Sequence, residues 1–326
     1  MIQNRKLLGM IAFVIAVGVC GATAQAQAPQ VALLGGGSAS GNAGRIEAFR
    51  QGLRDLGYTE DKNILLEQRW AEGKLDRLAA FTAELVRLKM DIIVSAGPTV
   101  TRALRKITST IPIVMGFDDD PVGSGFVASL AHPGGNITGL STLSPELSAK
   151  QLELLKEILP KISRVAVLGS SAHPGTSQTL KEMKSTSTAF GVQVQYIELQ
   201  GPNDIESAFG AARKGHADAV VVLTSVVTNS NRKPIVDMAA KNRLPAIYYT
   251  AEWVESGGLL TYGANFPDLF RRAATYVDKI LKGAKPGELP VEQAQKFELI
   301  VNLKAAKEIG LSIPPNVLAR ADRVIR

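Results

Sequence analysis

DIIVSAGPTVTRALRKITSTIPIVMGFDDDPVG, residues 91–123, sets two short apolar runs on either side of a helix-length stretch. The first run, DIIV at 91–94, keeps three apolar residues in succession. Side chains alternate between the two faces of a strand, so such a run belongs in a sheet buried on both sides. Ser95-Ala96-Gly97-Pro98 interrupts it, and the chain through residue 107 reads as a helix with proline in its first turn. IPIVM at 111–115 is the next strand. Strand, helix and strand at this spacing make the repeating unit of a parallel sheet.

The same alternation extends in both directions. Toward the N-terminus, QVALL at 30–34 is a buried strand closed by Gly35-Gly36-Gly37. A helix follows over 43–56, with Ile46, Phe49, Leu53 and Leu56 at helical spacing and Gly57 as its C-cap. NILLEQRW at 63–70 is a strand, and 75–88 a helix with Leu78, Phe81, Leu85 and Leu88 on one face. Toward the C-terminus, Phe117-Asp118-Asp119-Asp120-Pro121 leads into a short helix expected at about 123–130. A Pro133-Gly134-Gly135 turn and a strand at 136–140 come next.

Then the pattern restarts. A helix at 145–159 precedes strands at 164–168, 192–199, 217–223 and 245–249, separated by helices near 175–190, 205–214 and 231–241. GLLTY at 258–262 is a further strand and 266–281 an amphipathic helix. GAKPGELP at 283–290 has linker composition, and a strand at 297–301 leads into a last helical region. Two βα series of similar length imply an α/β protein of two lobes, each with its own parallel sheet.

The leading residues have a different composition. Arg5 and Lys6 precede an apolar run at 7–19, and A-x-A sites follow at 22–24, 24–26 and 26–28. Residues 1–28 are expected to be a secretory signal peptide, which makes the destination periplasmic. The apolar run is shorter than the ~20 residues that span a bilayer. Cys20 is the single cysteine. It follows Val19, a bulkier residue than usually precedes a lipidated cysteine, so it is expected to leave with the signal. The remaining chain then has no thiol for a disulfide, a nucleophile or a metal. Its net charge falls from +7 to +5, with basic and acidic residues interspersed and aromatics at 6%. A solvated surface is the reading, and no nucleic-acid partner is expected.

Ligands of open α/β sheets bind beyond the carboxyl ends of the strands. That rule selects Gly36, Gly37 and Ser38, then Ser95, Ala96 and Gly97, then Phe117, Asp118 and Asp119. In the second series it selects Ser170, Ser171, Thr224 and Ser225, with Tyr249 and Glu252 after the strand at 245–249. Ser95-Ala96-Gly97 precedes a helix whose free N–H groups could hold a carboxylate, with Ser95 donating its hydroxyl; the alternative is a capping serine and a turn glycine. Asp118 or Asp119 could pair with a ligand amine, while Asp120 before Pro121 suits a cap. Glu252 could accept from a ligand amine or cap the segment after it. Tyr249 is the aromatic expected at the cleft, whereas core packing is the favoured reading for Phe117 and Tyr262, with a cleft position as the alternative.

The glycines at 35–37, 41 and 44 have neither G-x-G-x-x-G spacing nor a following Gly-Lys-Ser/Thr, so they allow backbone to approach a ligand rather than cradle a nucleotide. His132, His173 and His216 lack metal-ligand spacing. No cofactor and no metal is expected. Gly169-Ser170-Ser171-Ala172 is not a nucleophile elbow, although a serine, a histidine and an acid could still meet in space.

DPVGSGFVASLAHPGGNITGLS at 120–141, the stretch GGLLTYGANFPDLFRRAATYVDKILKGAKPGELPVEQAQKFELIVNLKAAKEIGLSIPP at 257–315, GRIEAFRQGLRDLGY at 44–58 and LELLKEILPKISRVAVL at 152–168 resemble one bacterial family. It is the ABC-transporter substrate-binding family with tryptophan- and phenylalanine-binding members. The resemblance implies a type I periplasmic binding fold, two Rossmann-like lobes joined by three crossover hinge segments near 141–142, 250–255 and 283–295. Lobe one would comprise 29–141 plus 252–284, and lobe two 142–251 plus 285–326. It also implies a monomer, not an enzyme, that closes on a small molecule and delivers it to an ABC permease in the membrane. An amino acid or related carboxylate is the class expected, and the loop at 95–97 a region that amino-acid-binding members use. A ligand-sensing module for a membrane receptor and an exported serine hydrolase are the alternatives.

Overall fold

The computed structural model describes residues 28–326; residues 1–27, with the expected signal segment and Cys20, lie outside the described residues. The first βα series gives strands β1 (Gln30–Gly35), β2 (Leu65–Trp70), β3 (Ile92–Ala96), β4 (Ile113–Asp118) and β5 (Ile137–Ser141), with helices α1 (Ala43–Asp55), α2 (Leu75–Arg87) and α3 (Pro98–Arg105) between them. The second begins with α4 (Ser144–Ile158) and gives β6 (Arg164–Gly169), α5 (Thr176–Ala189), β7 (Gln193–Glu198), α6 (Ile205–Lys214) and β8 (Ala219–Val222). It continues through α7 (Val226–Ser230), α8 (Arg232–Lys241), β9 (Ala246–Tyr248), α9 (Ala251–Glu255) and β10 (Leu260–Ala264). Helix α10 (Phe266–Leu281), β11 (Glu292–Gln293), β12 (Phe297–Asn302), α11 (Leu303–Glu308), α12 (Pro315–Ala319) and β13 (Arg323–Ile325) follow.

These strands form two sheets, ordered β11-β5-β4-β3-β1-β2 and β13-β12-β10-β9-β8-β6-β7. Pairing is parallel throughout the named strands except between β10 and β12. Each sheet is covered on both faces, as its apolar runs require. In β1, Val31 and Leu33 pack toward α1 and α10 with Phe49, Leu53 and Phe270, while Ala32 and Leu34 pack on the opposite side with Leu85 and Leu104. In β8, Val221 joins Leu152 and Leu155 of α4, and Val220 and Val222 join Phe209 and Ile235.

Helices α1 and α10 meet at Gly52, where there is no room for a side chain. A Cβ there would come within 2.4 Å of the Arg271 carbonyl oxygen. The segment at 123–130, expected to be helical, is instead a series of turns. Gly125 takes φ +68°, and Phe126 N and Val127 N both donate to the Pro121 carbonyl. A residue at positive φ ends a right-handed helix, and glycine adopts it without penalty.

The sheets also correct the expected lobe boundaries. Leu260–Ala264, placed with the first lobe from the sequence, hydrogen-bonds to β9 and β12 of the second sheet, and α9 before it packs there too. Glu292–Gln293, placed with the second lobe, pairs with β5 of the first. The chain therefore leaves the first sheet after Ser141, returns between Ala264 and Phe266, and leaves again between Gln293 and Phe297. Ala294 N donates to the Ser141 carbonyl at 2.7 Å and Asn265 N to the Lys296 carbonyl at 2.9 Å, so the three passages are laced together.

Candidate ligand-binding cleft

The carboxyl ends of both sheets point into one interlobe cleft. Two adjoining cavities, of about 440 and 470 Å³ with their open mouths included, share His173, Thr224 and Tyr249. The smaller is walled by Gly36, Gly37, Asn42, Arg45, Trp70, Ala96, Gly97, Thr99 and Phe117 from the first lobe, and by Ser225, Val226 and Asn229 from the second. The larger takes in Asp119, Thr142, Ser144, Gln151, Thr176 and Thr179, with Leu147, Val222 and Phe266 as its apolar lining.

Of the residues selected from strand ends, Gly36, Gly37, Ala96, Gly97, Phe117, Thr224, Ser225 and Tyr249 are brought together around the smaller cavity, and Asp119 lines the larger. Gly97 sits at φ +115°, where a Cβ would meet the Phe117 ring at 2.8 Å; glycine is what lets the turn before α3 reach the cleft. Phe117 stands edge-on to Phe266, ring centroids 4.7 Å apart.

The others are turned away or already engaged. Ser95 is fully buried, its hydroxyl 2.8 Å from that of Thr101, so it secures α3 instead of facing a ligand. Ser38 accepts from Gly41 N at 3.1 Å within its own loop. Ser171 donates its N–H and hydroxyl to Glu198, with Ser170 at 3.5 Å from the same oxygen. Asp118 is fully buried inside the first lobe, and burial, reinforced by the Asp119 charge, pushes its carboxyl well above the usual range. Glu252 lies behind the cavities and accepts from Arg45 Nε at 2.9 Å.

Arg45 and His173 were not foreseen. Arg45 sits in the first turn of α1; its side chain is 4% exposed, its guanidinium carbon lies 4.1 Å from the Phe266 ring centroid, and Nη2 has no hydrogen-bond partner among the described residues. Burial would raise the Glu252 carboxyl, but the Arg45 guanidinium beside it holds it at about 2. The Tyr249 hydroxyl is likewise buried and without a partner among the described residues, its phenol pushed up by burial. His173, from the loop after β6, crosses the cleft: Nε2 lies 2.6 Å from Asp119 Oδ2 and Nδ1 3.3 Å from Thr99 Oγ1. Ser144 donates to the other Asp119 oxygen at 2.9 Å. Among the described residues, no cluster of His, Cys, Asp and Glu has the makings of a metal site.

A curated tyrosine-binding protein of Clostridioides difficile is 26% identical over 266 residues, 81% of this chain and 76% of the relative. A conserved domain protein of Vibrio cholerae superposes with a TM-score of 0.87 at 28% identity, covering 91% of this chain and all of that one. The ABC domain from Streptococcus pneumoniae solved with L-Trp gives 0.85 at 26%, with the same coverage. The architecture is that of type I periplasmic binding proteins. Residues 39–325 match the sequence profile of the ABC transporter substrate binding protein family, and the chain belongs to that family.

Proposed function

We propose that the protein captures an amino acid or a closely related carboxylate between its lobes, outside the cytoplasm, and presents it to an ABC permease without transforming it. One observation carries this reading: a buried guanidinium whose Nη2 has no partner among the described residues, on a cavity walled by Trp70, Phe117 and Tyr249. A buried cationic donor without a partner is costly, and a ligand carboxylate would satisfy it. Aromatic walls suit an apolar side chain. The tyrosine-binding and L-Trp-bound relatives support the same class. The segment at 1–28 supports export.

The test is mass spectrometry of small molecules released from the denatured protein, with a thermal-shift screen of amino acids and carboxylates. A ligand at a hundred times its Kd stabilises by about 2.7 kcal/mol, which raises the midpoint by several degrees. A single released amino acid that restores the stripped protein's midpoint is the expected result. Thr99, His173 and Asp119 align a hydroxyl, an imidazole and a carboxylate, so the screen includes simple esters and amides. Their turnover, with no amino acid bound, would overturn the binding role in favour of a hydrolase.

A further inference from the structure

Arg45 touches both lobes at once. It belongs to α1, whose packing against α10 fixes it to the first lobe, while Glu252 belongs to α9 on the second. A guanidinium is planar and carries five donors in a rigid fork. Glu252 accepts the one hydrogen bond this guanidinium makes among the described residues, through Nε. The Phe266 ring at 4.1 Å and the Phe117 ring at 5.8 Å hold the group in place. The interlobe bond exists only while the lobes are together, whereas the rings belong to the first lobe and stay with Arg45 when they part.

We infer that Arg45 is the residue through which recognition of the ligand's carboxylate is coupled to lobe closure, with Nη2 for the ligand and Nε for Glu252. This deepens the carboxylate reading given above and rests on it. In the open protein Arg45 is an unneutralised cation beside the first-lobe half of the site, and it draws the ligand's carboxylate there first. The bound ligand fixes the plane of the guanidinium, and the fixed plane presents Nε to Glu252 as the second lobe arrives. Closure then adds a charge-assisted bond whose geometry the ligand has already set. A side chain of the same charge but different shape would attract the ligand without transmitting its position.

The test crosses ligand chemistry with substitution. Binding of L-tyrosine, L-tryptophan and their carboxamides is measured by calorimetry for wild type, Arg45→Met, Arg45→Lys and Glu252→Gln, and radius of gyration by small-angle scattering with and without ligand. Wild type should prefer acid to amide by at least about tenfold. Arg45→Met should bind both equally weakly. Arg45→Lys should keep part of the preference but close less completely. Glu252→Gln should keep the full preference while its affinities fall and its ligand-bound radius of gyration exceeds that of ligand-bound wild type. Should the methionine variant not fold, the lysine and glutamine variants decide the matter. An acid preference that survives in Arg45→Met, or a Glu252→Gln protein that closes as wild type does, overturns the coupling. Wild type that binds neither acid, or prefers the amides, overturns the carboxylate reading itself, an outcome distinct from loss of coupling alone.

Discussion

Glu252 is acidic enough to be titrated separately from most carboxylates. Burial alone would raise it, and the Arg45 charge holds it at about 2 in the folded protein against an ordinary 4.5. A depressed value means the stabilisation is full above the ordinary value and lost as pH falls through the folded one. The closed form should therefore weaken between pH 4.5 and about 2, read as a rising radius of gyration, and Glu252→Gln should lack that component. Neither partner was legible as part of this pair. An arginine in the first turn of an amphipathic helix reads as solvated surface, and a glutamate after a strand reads as a ligand group. The distance of 207 positions between them leaves no local trace. The glycines at 36, 37 and 97 were picked out by the strand-end rule, and they do line the smaller cavity. Ser95, Ser170 and Ser171 were misleading: a hydroxyl at a strand end is equally good at satisfying its own lobe, through Thr101 or Glu198.

The contact between α1 and α10 turns on Gly52, and Gly52→Ala tests it. A methyl group 2.4 Å from a backbone carbonyl cannot be absorbed by a rotamer change, so the helices must part. Overpacking of this kind costs about 1–3 kcal/mol, measurable as a lower urea midpoint with an unchanged slope. Strands such as β3, β4 and β8 were readable because burial on both faces leaves an unbroken apolar run. Strand β11 was not, since its two residues, Glu292 and Gln293, are exposed and polar, held by pairing with β5 and by Arg272, which reaches the Glu292 carboxylate and the Gln293 carbonyl. The turns at 123–130 had apolar residues and length compatible with a helix, and glycine at 125 decided against it.

Across the whole molecule, the two βα series announced two lobes, but the places where the chain changes lobe were displaced. Strand β10 could extend either sheet by its composition. It joins the second because β12 comes back antiparallel beside it, a pairing decided by residues nearly forty positions later. The lobes share chain in both directions, so neither has a complete core of its own. Heating the ligand-free protein should give a single transition, with calorimetric and van't Hoff enthalpies in agreement; two resolved transitions would contradict the interdependence.

That sharing also sets an order of assembly. Multidomain chains usually complete their N-terminal domain while the rest is still being made. Here the first sheet's buried face waits for Phe270, Ala273 and Val277 of α10, and its edge for Glu292 and Gln293, while the second sheet waits for Phe297–Asn302. Nearly nine-tenths of the chain must emerge before either half can close over its apolar surface. A polypeptide built this way stays pliable for most of its emergence from the ribosome, and then gains both halves of its shape almost together.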